Sequence, residues 1–500
     1  MRRFKKFHSY VSGKQLTIFE LFALFIIGMG VFTLDLDKVD FWVDENPWIY
    51  ESAALNSFLT GDFSPDLWET EYNGLLDPPI AKYFIGIGMS LGGHRPNSFP
   101  KWNWYQTSKV NVEAGAMPTQ EILWWARIPM VVTSILGLMF ATVLLCKAHS
   151  RFSALIFYML SLTSFTIPLR QAMSEPPLIF FTFLAGLAGY KGIVSISNGK
   201  NLEAFSCFAV FGVLNGLAAA SKLNAILNLI AGVFSILFSL LWNKKTEMKR
   251  AIRLTTQLAL TQIYLALFTF VAINPYLYHN PLQNMALMFV ARSMTLDVQK
   301  ILYSSSVIRP EDWFRIVPDR IFAQYATPFY PANFAINIIL FAIGIYSIIQ
   351  FLKKTIPGWE AYLMLAALAL TSAIPALFSP LDWPRYYLFP VLFARIFIAI
   401  GVAVVILDFR DMTKNLRNMA GRFHDLLLSQ FQKTNSQICR GFREPSDTKG
   451  NRCHLPLHKI SSLRRSKVNF RIEQMVGRSV HLLVMMMSFY SGKIDKKLGE

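Results

Sequence analysis

Along the chain, long apolar runs alternate with shorter polar stretches, and the runs have the length of membrane helices rather than of strands. A span needs about 20 apolar residues at ~1.5 Å rise each. Ten runs come near that length: Leu16 to Leu34, Trp124 to Cys146, Phe152 to Leu169, Pro177 to Ile193, Ala204 to Ala220, Leu223 to Trp242, Leu254 to Ile273, Ala332 to Leu352, Ala361 to Phe378 and Tyr386 to Leu407. The pattern predicts an all-α multi-pass membrane protein with about 10 spans, in a range of about 9 to 12 because several runs are short and hold Gly or Pro. No internal repeat is visible.

Short basic loops stay on the cytoplasmic side of a membrane. Arg2, Arg3, Lys5 and Lys6 therefore put the N-terminus inside. Counting alternately, the inside loops carry Lys147 and Arg151, then Lys191 and Lys200, then Lys244, Lys245, Lys249 and Arg250, then Lys353 and Lys354, so every one is basic. The outside segment from Asp35 to Glu121 holds thirteen acids against five bases, Lys38, Lys82, Arg95, Lys101 and Lys109. Both termini are expected in the cytoplasm. The first run is too long for the core of a signal peptide and no small-residue cleavage site follows it, so it is expected to stay as an anchor.

Composition supports this reading. Of the 500 residues 53% are hydrophobic and 16% charged, with a mean hydropathy of +0.36. An average soluble domain is roughly 25% charged, so a soluble enzyme is excluded, as are a disordered chain and a disulfide scaffold. The four cysteines fall at cytoplasmic helix ends (Cys146, Cys207) or in the tail (Cys439, Cys453), leaving none for an outer disulfide. The net charge of +18 is concentrated in residues 408–500, which hold eighteen Lys or Arg against eight acids. Beside a last membrane helix such a tail suits anionic lipid headgroups. No nucleic-acid motif accompanies it. Within the tail, Val480 to Met487 is apolar but too short to span, and suits an interfacial helix. The expected organisation is a membrane domain, 1–407, followed by a basic cytoplasmic tail, 408–500.

Chemistry is expected in the two long outer segments, 35–123 and 274–330, which exceed simple connections. In the first, Asp44, Glu45, Asn46 and Pro47 precede a helical pattern, Trp48 to Thr60, that stops at Gly61. Asp77, Pro78, Pro79, Ile80, Ala81 and Lys82 then open an amphipathic stretch of about a dozen residues, suited to the outer surface. Asp44 is either a helix-start acid, next to an Asn46-Pro47 cap pair, or a general base. Glu45 either is a solvated acid or braces Asp44 or a bound substrate. Glu175 is either a helix N-terminal acid or a second active-site carboxylate. Lys82, Arg127, Arg170, Lys222 and Arg385 fall at outer ends of apolar segments, where charge is costly unless paired or functional. Each either snorkels to headgroups or grips an anion, Arg at two points and Lys at one. Asp35 and Asp37 form an Asp-x-Asp pair that reads as interfacial acids or as a metal-carrying pair. His94 and His279 stand isolated, and no Gly-rich nucleotide loop is present, so a soluble nucleotide-sugar donor is not expected.

In order, the chain shows a membrane helix, the pair Asp44-Glu45 with Tyr50, Gly61, Pro78-Pro79 with Lys82, and Arg127. Then come Arg170, Ser174-Glu175-Pro176-Pro177, Gly216-Leu217-Ala218, Ser221-Lys222 and Arg385-Tyr386-Tyr387. This ordered set resembles the GT-C glycosyltransferases, in particular the protein O-mannosyltransferases and the lipid A aminoarabinose transferases, over roughly residues 16–407. Two positions depart from the family: Asp77 stands where His is usual, and Glu175 where Asp is usual. The resemblance implies a GT-C fold with a large first extracytoplasmic loop. It also implies inverting transfer of one sugar, a mannose-like hexose or an aminopentose, from a polyprenyl or dolichyl monophosphate carrier to a protein, lipid or glycan acceptor on the outer face. The expected catalytic residues are Asp44, Glu45 and Glu175. Those expected to bind the carrier phosphate are Lys82, Arg127, Lys222, Arg385 and Tyr386, with Tyr386 and Tyr387 alternatively belt residues. No cofactor or metal is required, since cations alone can neutralise one departing phosphate. A bacterial inner membrane with a periplasmic site is favoured over the endoplasmic reticulum. A transporter or lipid-linked sugar flippase would share composition and topology; such proteins usually carry repeats and midplane polar sites, whereas the charges here gather at outer helix ends.

Overall fold

The computed structural model describes residues 16–69, 74–163, 167–242, 247–325, 333–352, 358–377, 379–407 and Asp425. The N-terminal arginines and lysines, Lys244, Lys245, Lys353, Lys354, Cys439, Cys453 and the run Val480 to Met487 lie outside the described residues, as does all of the basic tail except Asp425. Helix dominates (81%), and the β-structure among the described residues is one bridge between Val307 and Leu381. The chain divides into two units, Met1–Val405 and Ile406–Glu500.

The helices run Ile18–Thr33 (α1), Glu45–Tyr50 (α2), Ala54–Thr60 (α3), Ile80–Leu91 (α4), Gln120–Ala148 (α5), Arg151–Thr163 (α6), Glu175–Ser197 (α7), Asn201–Ala219 (α8), Asn228–Trp242 (α9), Met248–Ile273 (α10), Pro281–Leu302 (α11), Asn333–Leu352 (α12), Trp359–Leu377 (α13) and Pro384–Leu407 (α14). Each of the ten apolar runs is helical over most of its described residues. By length and composition six segments can cross a membrane: α5, α7, α8, α9 extended back to Leu223, α10 and α14. The other four runs form the shorter apolar helices Ile18–Thr33, Arg151–Thr163, Phe334–Ile349 and Trp359–Pro375. The protein is therefore an integral, all-α membrane protein, and among the described residues six of the ten expected spans reach full length as single helices.

Local sequence explains the ends. Thr17 and Glu20 cap α1 reciprocally, each side chain accepting from the other's backbone N–H, at 3.2 and 2.8 Å. The two prolines after Glu175 sit in the first turn of α7, where a missing N–H costs nothing. Small residues let helices close on one another, as membrane packing requires. A Cβ added at Gly212 or Gly216 would meet the α10 carbonyl oxygens of Gln262 and Ala266 at 2.4 and 2.5 Å, so α8 and α10 touch backbone to backbone.

The two segments expected on the outer face differ from expectation in three ways. The helical pattern Trp48 to Thr60 is broken into α2, a 3-10 turn Glu51–Ala53 and α3; Gly61, at φ 73°, ends it in the left-handed conformation as anticipated. The amphipathic stretch after Pro79 is not a surface helix. In α4 Ile80, Ala81, Lys82, Tyr83, Ile85 and Met89 are buried, because Gly88 lets the helix lie directly on α5, where an added Cβ would meet the Trp125 carbonyl oxygen at 2.2 Å. The second outer segment is largely helix: α11 holds 22 residues, and Leu287, Val290, Met294, Val298 and Ile301 form an exposed apolar stripe at three- and four-residue spacing. That is the pattern of a helix lying along a membrane surface.

Candidate active site

After α1 the chain turns through Asp35, a non-glycine residue at φ 53°, so that the carbonyls of Leu36, Val39 and Asp40 point at one place on α5. Arg127 stands there, fully buried. Its Nη1 donates to Leu36 and Val39 oxygens at 3.1 and 2.8 Å and its Nη2 to Asp40 oxygen at 3.2 Å. Its remaining donors form a two-point ion pair with Glu45, Nε to Oε1 at 2.9 Å and Nη2 to Oε2 at 2.7 Å. Glu45 is equally buried and also accepts from the backbone N–H of Trp42 at 3.1 Å and of Ala172 at 2.8 Å. A guanidinium has five N–H donors, and all five are used here. Arg127 therefore has none to offer a phosphate, which corrects that expectation: it clasps the outer segment to α5, and Glu45 is the other half of the clasp.

The clasp fixes Asp44. Asp44 precedes α2 but its side chain makes no capping bond, and Asn46 does not cap either: its amide donates to the carbonyls of Pro100 and Ala116 and accepts from the Trp102 N–H. The Asp44 carboxylate accepts from Trp42 Nε1 at 3.1 Å and forms an ion pair with Arg385, 341 residues further on. Arg385 lies between aromatic faces, its guanidinium carbon 4.8 Å from the Trp383 ring centroid and 5.5 Å from that of Tyr386.

Beside this pair opens a cavity of about 260 Å³ whose wall includes Asp77, Glu175, Lys222, Arg292, Arg385 and Tyr386. Glu175, buried at the head of α7, accepts from Lys222 Nζ at 2.7 Å, and the ammonium lies 5.6 Å from the Tyr386 ring centroid. The wall also carries buried polar atoms without hydrogen-bond partners: Arg385 Nε, the Tyr386 hydroxyl and Asn224 Oδ1. Arg292 has no hydrogen-bond or ion-pair partner among the described residues. Leu178, Leu296, Leu388 and Phe389 supply apolar wall.

Of the expected residues, the structure thus brings Glu175, Lys222, Arg385 and Tyr386 to one cavity, with Asp44 one ion pair away. Lys82 lies deeper, bonded to the Asp77 carbonyl oxygen at 3.2 Å and 5.5 Å from the Trp48 ring centroid. Burial pushes its pKa down to about 8, opposed by the carboxylates of Asp77 and Glu51. Arg170 donates to the Leu34 carbonyl, and Asp35 pairs with Lys38 at 2.6 Å on the surface. Among the described residues no group of three or more His, Cys, Asp and Glu could hold a metal ion. Sequence reasoning missed Arg292, whose only signal was a lone Arg in the period of α11, and the place of Asp77 on the wall.

Several solved proteins have a similar arrangement of helices, all at low identity. The oligosaccharyltransferase of Archaeoglobus fulgidus in the apo form is 12% identical with a TM-score of 0.46, covering 80% of this chain and 52% of its own. ArnT of Cupriavidus metallidurans bound to undecaprenyl phosphate is 16% identical with a TM-score of 0.45, covering 81% and 63%. The protein O-mannosyltransferase Pmt1-Pmt2 complex of S. cerevisiae bound to the sugar donor is 14% identical with a TM-score of 0.38, covering 58% and 36%. The chain therefore spans less than two thirds of the length of each. No curated protein matches the sequence. Residues 54–287, which include α4 and Lys82, Arg127, Glu175 and Lys222, match the family model of the dolichyl-phosphate-mannose-protein mannosyltransferases, in line with the resemblance of the ordered motifs.

Proposed function

We propose that the protein is an inverting glycosyltransferase that moves a single sugar from a polyprenyl monophosphate carrier to a protein, lipid or glycan acceptor. One observation carries this reading: a carboxylate, Asp44, is ion-paired to a cation, Arg385, on the wall of a cavity that gathers two further cations, Lys222 and Arg292. Glycosyl transfer from a lipid phosphate needs that combination. The acceptor hydroxyl gives its proton to the Asp44 carboxylate as its oxygen bonds to the anomeric carbon. The bond from that carbon to the phosphate oxygen breaks on the opposite face, and the electron pair leaves with the polyprenyl phosphate. Its growing charge is met by Arg385, Arg292 and Lys222 in a water-poor cavity, where such stabilisation is strongest. The phosphate competes with Asp44 for Arg385, so donor binding loosens the ion pair and frees the carboxylate to take a proton. Glu175 holds Lys222 in place. The family match over residues 54–287 supports the same chemistry. We place the site on the extracytoplasmic side of a bacterial inner membrane, with both termini and the basic tail in the cytoplasm.

The test is transfer of radiolabelled sugar from a polyprenyl phosphate donor by purified protein in detergent. Asp44→Asn keeps size and loses basicity, so turnover should fall by roughly 10² to 10⁴ at matched expression. Near wild-type turnover ends the assignment of Asp44, and movement of carrier across a vesicle bilayer without transfer establishes the flippase instead.

A further inference from the structure

The cavity wall carries five charged side chains, and the reaction proposed above accounts for four. Glu175 is occupied with Lys222, Arg385 with Asp44, and Arg292 faces the phosphate with the other cations. Asp77 is left over. Its carboxylate makes no hydrogen bond and no close ion pair among the described residues, and Lys82 acts on it only at longer range.

Its position is rigid. A residue before proline is held extended, and Pro78 and Pro79 fix the next two. The N–H of Ile80 donates to the Ala220 carbonyl at 3.0 Å, tying this turn to the end of α8, and the Asp77 carbonyl is held by Lys82. Asn224 Oδ1, on the same wall as the half-buried Asp77, is an acceptor buried without a donor. Rigid acceptors lacking donors are what a site needs to recognise a ligand rich in hydroxyl groups. The phosphate cannot be the partner of Asp77, since like charges repel. The sugar can.

We infer that Asp77 reads the donor sugar: its carboxylate accepts a hydrogen bond from a hydroxyl or ammonium group on the ring of a polyprenyl-phosphate sugar, and so determines which sugars are transferred. The inference rests on the proposed reaction. Asp77 touches substrate but takes no part in bond making, so its loss changes sugar preference and donor KM rather than the chemical step.

Full-length wild type, Asp77→Ala and Asp77→Asn are compared with polyprenyl phosphates carrying mannose, mono-deoxymannoses lacking one hydroxyl in turn, and 4-amino-4-deoxyarabinose. Binding of sugar-free polyprenyl phosphate is measured alongside. In Asp77→Ala, donor KM should rise roughly 10- to 100-fold for the preferred sugar, the loss expected for a hydrogen bond to a charged group. The penalty against one deoxy donor should vanish, while sugar-free carrier binds within about 2-fold of wild type. Asp77→Asn, which keeps an acceptor of the same shape, should retain much of a preference for a hydroxyl sugar but lose any preference for the amino sugar, which separates the two sources of the hydrogen bond. A parallel loss of sugar-free carrier binding would overturn the inference, because Asp77 would then only orient Lys82. So would an unchanged ranking of sugars, or a fall in kcat equal for every sugar. Wild-type protein that neither binds the carrier nor transfers any sugar sinks the proposed function instead.

Discussion

Arg127 and Arg292 are the same side chain in opposite circumstances, one with five bonds in a sealed site and one facing a cavity with none among the described residues. Arg127→Ala leaves Glu45 as a buried, unpaired carboxylate, which costs about 3–5 kcal/mol. The detergent-solubilised variant should melt well below wild type. Arg292→Gln removes no internal partner, so melting should be unchanged while donor KM rises roughly tenfold or more. Lys82 gives a pH signature. Its folded pKa of about 8 lies below the ordinary 10.5, so above pH 8 the unfolded chain holds a proton the native chain has released, and stability rises with pH in that window. The field that Lys82 casts toward the carrier is lost over the same window. Transfer should therefore fall as pH rises through about 8 without a falling melting temperature, and Lys82→Arg, which does not titrate there, should move the limb to higher pH. At this scale sequence order singled out Asp44, Glu175, Lys222 and Arg385, which the structure gathers at one cavity and its adjoining ion pair, because charges at the ends of apolar segments are rare and conspicuous. It could not tell Arg127 apart from the others, because what separates them is which carbonyls the turn at Asp35 aims inward.

Among elements, residues 304–325, which follow α11, are bound to the head of α14. Val307 pairs with Leu381, and Arg320 grips Asp382 through Nε at 2.9 Å and Nη2 at 2.5 Å, while the Tyr387 hydroxyl donates to the same carboxylate at 3.1 Å. This clasp holds the turn that presents Arg385 and Tyr386. Arg320→Ala should raise donor KM several-fold and speed proteolysis within residues 304–325, with melting lowered by only about 1–3 kcal/mol for a part-exposed pair. Helix type was legible wherever apolar runs were long. Burial of α4 was not, because twelve residues that look amphipathic in sequence are enclosed through glycine-to-backbone contact, which hydropathy does not register. Likewise α11 read as a loop because its apolar stripe is diluted by Arg292, Asp297 and Lys300.

For the whole molecule, the orientation can be checked directly. Tyr105, fully exposed in the first outer segment, and Leu202, exposed at the start of α8, should lie on opposite sides of the membrane. Tyr105→Cys should react with a membrane-impermeant maleimide added to intact cells, and Leu202→Cys only after permeabilisation; the reverse result inverts the topology. The helical, membrane-embedded character of the chain was readable from pattern, whereas the cavity was not, since it is assembled from residues 76–78, α7, the α8–α9 turn, α11, α13 and α14. The pair Asp44–Arg385 joins two ends of that assembly across 341 residues. At synthesis rates of about 5–20 residues per second, Asp44 leaves the ribosome roughly 20 to 70 seconds before its partner. Through that interval the growing chain carries a carboxylate with no guanidinium beside it and only part of the cationic wall. On the proposed reaction, a half-made molecule holds Lys222 and Arg292 but not the guanidinium that links them to Asp44, so anion capture and base come together only once α14 has been made.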